Sequence, residues 1–447
     1  MRRLPRLFFF SLTLILACVL SAALPFIADA QPTPNSEVAH DSSQPITHYQ
    51  LPSDKLQNAR GLYVITGILF FVSPLYGLAV ILLFLRRRWM VKFRDLAERT
   101  SSNSFLQALI AVPLFAIAMT VLALPLSVYS HHVSRSYGIS VQEWGSWFRD
   151  WFVQLLLVMI LSAVLGWILY AVIRKRPRRW WLYFWLALLP IVAFLTFIAP
   201  VAVDPLFNHY ELLQPKNPEL VAQLERVVAR SGTQIPPSRM YEMKASEKLT
   251  GSNAYVTGFG ATKRVVVWDT AIQKFTIPQI MFVFGHEMGH YVLGHIVKGF
   301  VFAMSVFLVL FYLSYRLAAW MYSRWGAAWG IRSLGDWASV PLLWLAISVM
   351  LFISAPMLNA FSRHLEHQAD QYGLEVVHGM FPDSSQVAAQ SFQILGEEWL
   401  EYPDVNPLAV FFAWDHPPIA SRIQFALTYN PGKADEQPAF VKNPPNK

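Results

Sequence analysis

Long apolar runs without charged residues dominate the hydropathy pattern of this chain. Five of them are long enough to cross about 30 Å of hydrocarbon as a helix. They span residues 61–85, 104–130, 151–173, 180–203 and 337–361. A sixth run, 299–315, continues past Arg316 to Trp320. So many runs of this length in one chain predict a polytopic helical membrane protein rather than the buried helices of a soluble domain.

Composition agrees with this pattern. Of the 447 residues, 55% are hydrophobic and only 14% are charged, whereas soluble domains average about 25% charged residues. A purely soluble enzyme, a disordered chain and a fibrous protein are therefore excluded. The net charge of +8 does not indicate nucleic-acid binding, because the basic residues cluster at the ends of apolar runs. The single cysteine, Cys18, excludes an internal disulfide framework and a thiolate zinc knuckle.

The first segment of the chain resembles a targeting sequence. Residues 1–30 combine a basic start, an apolar run and the A-x-A pattern Ala28-Asp29-Ala30, which predicts a signal peptide or a first membrane anchor. The next stretch, 31–60, is rich in polar residues and proline and predicts a tether.

The charges of the short loops predict the orientation in the membrane. Loop 86–103 carries six basic residues and loop 174–179 carries five, whereas loop 131–150 carries only two. Short loops rich in Lys and Arg tend to stay in the cytoplasm. With both basic loops inside, the segments 31–60 and 204–297 lie outside the cytoplasm.

The pattern divides the rest of the chain into membrane and water-facing parts. Residues 61–203 form a four-span membrane region, and 298–361 form two further spans. Residues 204–297 predict a small α+β domain, and 362–430 predict its C-terminal helical part. The polar, proline-containing stretch 431–447 predicts a disordered tail.

Local patterns in the water-facing parts predict individual elements. Asn217 and Pro218 stand in the order favoured at the start of a helix, and Gly232 follows its apolar stripe. Strands are predicted at 239–244, 253–258 and 265–268, and later helices at 384–400 and 416–427.

A metal-binding pattern lies in the last helix of the α+β segment. Thr276 and Gln279 form a capping-box pattern that starts this helix. On one helical face, His286 and His290 are one turn apart, which lets both imidazoles reach one Zn²⁺. The intervening Glu287 is placed to act as general base toward a metal-bound water.

A catalytic zinc needs a third protein ligand. The metzincin pattern requires a histidine at position 296, which here is Ile296. His295 is therefore predicted to be a structural residue or an outer partner of a ligand. Glu366 and Asp370 follow the last apolar run and lie four residues apart, on one face if helical. We expect Glu366 to be the third ligand and Asp370 to accept the outer N–H of a ligand histidine.

Four motifs together resemble the type I CaaX prenyl proteases, a family of membrane-embedded gluzincin metallopeptidases. The motifs are HEMGHYVLGH (286–295), NAFSRHLEHQAD (359–370), SNAYVTGFGATKRVVVWDT (252–270) and HPPIASRI (416–423). They occur in the family's order over roughly residues 61–427. The resemblance implies a mainly α fold, a polytopic helical barrel of six to seven spans that encloses a water-filled chamber, with a small α+β zinc metallopeptidase domain.

The resemblance also implies roles for individual residues. It gives one Zn²⁺ per chain, with His286, His290 and Glu366 as ligands, Glu287 as base and Asp370 as a partner of the ligands. It implies that Asn253 and Ala254 bind an extended substrate as an added strand. It further implies that His416 and Arg422 stabilise the oxyanion or hold the substrate.

We therefore expect a multi-pass zinc metalloendopeptidase that acts on polypeptides, with the lipid bilayer as its other partner and no nucleic acid. The resemblance implies CaaX-type processing, and a quality-control protease acting on misfolded membrane proteins is the alternative. A non-catalytic binder or chaperone with this fold is a rival, whereas a transporter is disfavoured because the apolar runs hold almost no charges. The predicted location is a bacterial inner membrane. Loop charge favours an extracytoplasmic active site, whereas the family's eukaryotic members have it in the cytosol.

Overall fold

The chain folds mainly into α-helices, with one small β-sheet. The structure is a computed structural model that describes residues 45–258, 263–432 and 438–441. The α-helices are α1 (Ser53–Arg86), α2 (Trp89–Thr100), α3 (Ser104–Ser136), α4 (Trp144–Lys175), α5 (Trp180–Ala202), α6 (Pro218–Arg230), α7 (Asp269–Lys274), α8 (Ile277–Val292), α9 (His295–Trp325), α10 (Val340–Val377), α11 (Ser384–Glu398), α12 (Pro407–Ala413) and α13 (Ile419–Thr428). The strands are β1 (Tyr210–Leu212), β2 (Met240–Met243), β3 (Ala254–Thr257) and β4 (Arg264–Trp268).

The predicted membrane spans are confirmed as helices. Five helices in the described part of the chain, α1, α3, α4, α9 and α10, are long and apolar enough to cross a membrane. The number is six if the two apolar segments Trp180–Thr196 and Ile198–Leu206, which meet at an angle of 40°, are counted as one span. The apolar run within 1–30 lies outside the described residues. Many large apolar side chains on these helices point outward, such as Ile160 and Ile353, each 66% exposed. This is expected where lipid replaces water around the helices.

The two ends of the helical region are different. At the end that carries the β-sheet, here called the sheet side, the Thr250 hydroxyl donates to the Gly138 carbonyl at 2.7 Å. At the other end, the distal side, the loops 86–103, 174–179 and 326–339 come together. There Arg94 forms a buried ion pair with Asp336 at 2.9 Å. Both strongly basic loops therefore lie at the distal side.

The sheet has the order β1-β2-β4-β3. Strands β2 and β4 run parallel, while β1 pairs with β2 and β3 pairs with β4 in antiparallel fashion. Among the described strands, β3 therefore lies at one edge. The three predicted strands are confirmed: β2 and β3 are shorter than predicted at both ends, and β4 begins one residue earlier. Strand β1 was not predicted because a three-residue strand has too little alternation to detect.

A hydrophobic core joins the sheet to α6, α8, the C-terminal half of α10, α11 and α13. Val265 and Val267 of the central strand β4 are completely buried, as are Leu224 of α6 and Phe284 of α8. The predicted apolar stripe of α6 faces this core. The helix α12 was not predicted, and α13 begins three residues after the predicted start, because Pro418 is its N-cap.

The first described residues do not form a free tether. Segment 45–52 runs along α11, where the side-chain amides of Gln386 and Gln393 hydrogen-bond to the backbone of Ile46 and Gln50. The side chain of Ile46 is buried against the core. Residues 53–60 of the predicted tether form the first part of α1, and residues 31–44 lie outside the described residues. This packing places the start of α1 on the sheet side.

Residues 438–441 of the predicted tail 431–447 contact the core, whereas 433–437 and 442–447 lie outside the described residues. Their backbone N–H groups at Ala439, Phe440 and Val441 donate to the carboxylate of Glu375 at 2.8–2.9 Å. The side chain of Val441 is buried. The cause is a buried carboxylate that binds three main-chain donors, which the polar composition of the tail does not reveal.

Candidate metal centre

The HExxH helix begins where the sequence predicts. The backbone N–H of Thr276 donates to Oε1 of Gln279 at 2.8 Å, and Pro278 lies in the first turn of α8. The helix then continues to Val292 without a break. His286 and His290 consequently project from the same face, one turn apart.

The third candidate ligand comes from α10, which continues out of the membrane as one 38-residue helix. Glycines let α8 and α10 approach closely. A Cβ atom on Gly373 would lie 3.0 Å from the backbone nitrogen of His286, and one on Gly289 would lie 3.2 Å from Cα of Ala369. A side chain at either position would push the two helices apart. The crossing thus brings Glu366 and Asp370 beside the two histidines.

The three candidate ligands His286, His290 and Glu366 form one compact group. Among the described residues, these are the side chains whose ligand atoms lie close enough together, within 4.8 Å, to hold one metal ion. The two Nε2 atoms lie 3.1 Å apart, and they lie 3.4 Å from the two different oxygens of Glu366, Oε2 for His286 and Oε1 for His290. Ligand bonds of about 2.1 Å in a tetrahedron place neighbouring donor atoms about 3.4 Å apart. The donor set therefore fits a tetrahedral zinc ion.

His286 is held from behind by a buried carboxylate. Its Nδ1–H donates to Oδ1 of Asp370 at 2.8 Å, which leaves Nε2 as the metal-facing atom. Burial alone would lower the pKa of His286, but the hydrogen bonds to Asp370 and Glu366 outweigh it and raise the pKa to about 9. Nε of Arg422 donates to the other oxygen of Asp370 at 2.8 Å. Asp370 is thus paired on both sides.

His290 is held by a chain of two further side chains. Its Nδ1 lies 3.0 Å from Nδ1 of His295, whose Nε2 lies 3.1 Å from Oε1 of Gln368. Because this amide oxygen is an acceptor, His295 carries its proton on Nε2 and accepts from His290 through Nδ1. This arrangement fixes the tautomer in which Nε2 of His290 faces the metal position. His295 is therefore an outer partner of a candidate ligand, one of the two roles predicted for it.

Two more ionisable groups border the metal position. Burial raises the pKa of the Glu287 carboxylate, although His286 and His290 partly oppose it. Nε2 of His416 lies 3.3 Å from Glu366, and its Nδ1 lies 2.9 Å from Asp415. Burial lowers the pKa of His416, but these carboxylates outweigh it and the net shift is upward.

The remaining predicted site residues lie in two places: Arg422 lies beside Asp370, whereas Asn253 and Ala254 lie at the start of β3. Arg422 is 2% exposed, hydrogen-bonds to Asp370 and lies over the ring of Phe392. This position favours holding Asp370 over direct contact with an oxyanion. Asn253 directly precedes β3, where its carbonyl accepts from Trp268 at 2.9 Å, and Ala254 is the first residue of the strand.

Some residues that build the site had no detectable signal in the sequence. Gln368 is an ordinary polar residue of a helix, and only its contact with His295 reveals its role. Gly373 lies seven residues beyond Glu366, and a single helical glycine does not indicate a helix crossing.

One of the membrane helices carries Glu366 of the candidate His-His-Glu site, an arrangement typical of a membrane-embedded metalloprotease. Residues 214–430 match the family model described as peptidase family M48, and residues 42–209 match the model described as CAAX prenyl protease N-terminal, five membrane helices. A Bacillus subtilis relative named uncharacterized metalloprotease YhfN is 35% identical over 75% of this chain and 76% of its own length. The chain belongs to peptidase family M48, in the group that carries the CAAX prenyl protease membrane helices.

More distant relatives and a solved structure agree with this assignment. The chain is 28% identical to CAAX prenyl protease 1 of Saccharomyces cerevisiae over 72% of each sequence. It is 23% identical to the human CAAX prenyl protease 1 homolog over 72% of this chain and 74% of that protein. The crystal structure of S. mikatae Ste24p superposes with a TM-score of 0.72, covering 95% of this chain and 98% of that one at 21% identity. This likeness confirms the predicted fold class.

Proposed function

We propose that this protein is an integral-membrane zinc metalloendopeptidase with one Zn²⁺ held by His286, His290 and Glu366. The observation that carries the proposal is the convergence of the three groups, whose nearest donor atoms lie 3.1–3.4 Å apart, close to the edge of a zinc tetrahedron. Glu287, with a pKa raised by burial, lies on the same helix as two of the ligands.

Each nearby side chain has a separate task in peptide hydrolysis. Bound zinc supplies Lewis acidity that polarises the scissile carbonyl and acidifies a water molecule. Glu287 accepts the proton of the attacking water and passes it to the departing amine, for which a raised pKa is favourable. His416, whose pKa is raised by its acidic neighbours, donates to the carbonyl oxygen as negative charge develops there. Arg422 holds Asp370, which in turn orients His286.

The substrate binds as an extended chain along β3. Among the described strands β3 is at an edge of the sheet, and it packs on α8, which carries the HExxH residues. An added strand obtains its main-chain hydrogen bonds from such an edge. Asn253 and Ala254, at the start of β3, form the part of this edge that we assign to the substrate.

We assign CaaX-type processing as the activity, because several relatives are named CAAX prenyl protease and the chain also matches their N-terminal membrane helices. The alternative is quality control of misfolded membrane proteins, favoured by loop charge that puts the active site outside the cytoplasm. We place the protein in a bacterial inner membrane. Cleavage assays in detergent distinguish the two activities. The same enzyme is tested on a prenylated CaaX peptide and on an unfolded membrane protein. Cleavage of only the unfolded substrate would favour quality control.

The base assignment is tested with Glu287→Gln. We expect the variant to retain about one zinc per chain but to lose peptidase activity by roughly 10²- to 10⁴-fold, because the amide cannot accept the proton. Zinc content by metal analysis and cleavage of an unfolded polypeptide provide the two measurements. Glu219→Gln, at an exposed position of α6, serves as the matched control. Near-normal activity of Glu287→Gln would exclude Glu287 as the base, and wild-type activity that survives zinc chelation would exclude the metallopeptidase mechanism.

A further inference from the structure

A cavity of about 210 Å³ lies among the membrane helices. Side chains of α3, α4, α5, α9 and α10 line it, and nearly all of the lining atoms are apolar, as with Phe115, Leu165 and Phe307. An apolar cavity of about 150 Å³ already stays dry and binds a small hydrocarbon. This one is larger and is surrounded by the hydrocarbon of the bilayer, so its natural occupant is a hydrocarbon group.

The cavity lies in the distal half of the membrane region, away from the metal centre. Its lining includes Val112 in the first part of α3, Trp180 at the start of α5 and Val340 at the start of α10. All three positions belong to helix ends on the distal side. Glu366 lies beyond the other end of the lining on α10, which stops at Leu351. The cavity is therefore separate from the residues proposed to hold zinc.

Two polar groups in the lining make no hydrogen bond within the described residues. They are Nε1 of Trp180 and Oγ of Ser314, on side chains that are 3% and 2% exposed. The ring of Trp180 contacts Tyr315, the neighbour of Ser314, with centroids 6.1 Å apart. Buried polar groups almost always have a partner. A ligand with an acceptor oxygen at this end of the cavity would provide one for both groups.

Basic side chains lie at the same level of the membrane region as these two groups, because Trp180 contacts Tyr315. Arg316 itself projects from the outer face of α9, where it donates to the Tyr312 hydroxyl. Arg179 directly precedes Trp180, and Arg316 follows Ser314 by two residues; both arginines are exposed on the distal side. An amphiphile that extends from the arginines into the cavity would meet an anion-binding rim, then two hydrogen-bond donors, then apolar walls. This order matches the phosphate, the glycerol ester and the acyl chain of a phospholipid.

We propose that this cavity binds one acyl chain of an anionic membrane phospholipid from the distal leaflet. The ester oxygen accepts hydrogen bonds from Trp180 and Ser314, and the phosphate lies beside Arg179 and Arg316. Water is a poor occupant, because the walls offer it few polar partners. A peptide backbone is equally poor, because its N–H and C=O groups would remain unpaired there. The site does not depend on the peptidase activity.

Native mass spectrometry of the purified full-length protein tests the proposal, with phosphatidylglycerol and phosphatidylcholine of equal chain length added to the detergent. We expect one phosphatidylglycerol to bind tightly and phosphatidylcholine to bind at least about tenfold more weakly. Trp180→Phe and Ser314→Ala each remove one donor and keep the packing, and each should weaken phosphatidylglycerol binding by about three- to tenfold.

The matched controls change the same residue types outside the cavity. Trp144→Phe alters a ring at the start of α4 on the sheet side, which contacts His131, and Ser305→Ala removes a hydroxyl that already donates to the Val301 carbonyl. Both should bind phosphatidylglycerol like the wild type. Equal binding of the two lipids, or equal effects of control and cavity variants, would overturn the proposal. Competitive displacement of the lipid by a farnesylated CaaX peptide would overturn it as well, because the cavity would then belong to the substrate.

Discussion

Asp370 accepts hydrogen bonds from two buried partners, His286 and Arg422. A buried carboxylate is costly unless it is paired, and here the guanidinium provides a fixed, planar donor. The remaining lone pairs of Asp370 orient the imidazole of His286 toward the metal position. The residue thus links a structural ion pair to a candidate ligand.

Removal of this carboxylate should weaken zinc binding. In Asp370→Ala, His286 loses the acceptor that fixes its tautomer, and Arg422 becomes an unpaired buried cation. We expect zinc affinity to fall roughly 10- to 100-fold, measured by competition with a chromogenic chelator. Asp383→Ala, at an exposed helix cap, controls for the loss of an aspartate elsewhere. Unchanged zinc affinity in Asp370→Ala would contradict the role assigned to Asp370.

The second ligand histidine depends on His295 in the same way. His295→Leu removes the acceptor for Nδ1–H of His290, and we expect zinc affinity to fall roughly 10- to 100-fold. His295→Gln can present an amide oxygen at this position and should restore most of the affinity. If His295→Leu binds zinc as tightly as His295→Gln, the side chain of His295 contributes only packing. The distinction is measured by chelator competition, and the visible spectrum of the cobalt-substituted protein reports any change in ligand geometry.

Sequence patterns predicted some of the candidate site residues but not others. The histidines of HExxH follow from helical periodicity, and Glu366 from the need for a third ligand. Their convergence could not be deduced, because it depends on how closely α8 and α10 pack. Gln368 could not be predicted at all, since its role exists only through contact with His295.

At the scale of elements, the crossing of α8 and α10 determines the metal centre. Gly373→Ala would place a methyl group 3.0 Å from the backbone nitrogen of His286. We expect destabilisation of about 1–3 kcal/mol and weaker zinc binding, because the backbone of one ligand must move. Thermal unfolding in detergent and zinc competition measure the two effects.

Gly67→Ala is the matched control for this substitution. Gly67 lies within α1, and a Cβ atom there meets nothing within 4 Å. Alanine should stabilise this helix slightly or leave it unchanged. A loss of stability or zinc affinity as large in Gly67→Ala as in Gly373→Ala would show that the crossing is not responsible.

The elements that were missed are short or depend on tertiary contacts. Long apolar runs predicted the five helices that are long and apolar enough to cross a membrane and the bent segment 180–206, since hydropathy is summed over many residues. Strand β1 and helix α12 contain three and seven residues, too few for a periodic pattern. The ordered segment 438–441 is held by Glu375 rather than by its own composition.

At the scale of the whole molecule, the distribution of charge predicts an orientation. The basic loops 86–103 and 174–179 lie on the distal side, whereas segment 45–52 and the metal centre lie on the sheet side. Because basic loops tend to remain cytoplasmic, we expect the metal centre to lie outside the cytoplasm.

Cysteine labelling in whole cells checks this orientation. In a Cys18→Ser background, Glu219→Cys on the sheet side should react with a membrane-impermeant maleimide, whereas Ser333→Cys on the distal side should react only after lysis. Both positions are exposed, so a difference in labelling reports the side of the membrane. The reverse pattern would place the catalyst in the cytoplasm.

Helix α10 is a single 38-residue helix that begins on the distal side and ends in the core that surrounds Glu366. Glu366, the proposed third ligand, lies five residues beyond the apolar run 337–361 on the same helix. Removal of that run would therefore leave Glu366 without the span that positions it beside His286. The protein therefore has to be purified with detergent or lipid around its membrane helices. A secreted descendant would need another element to hold that carboxylate in place.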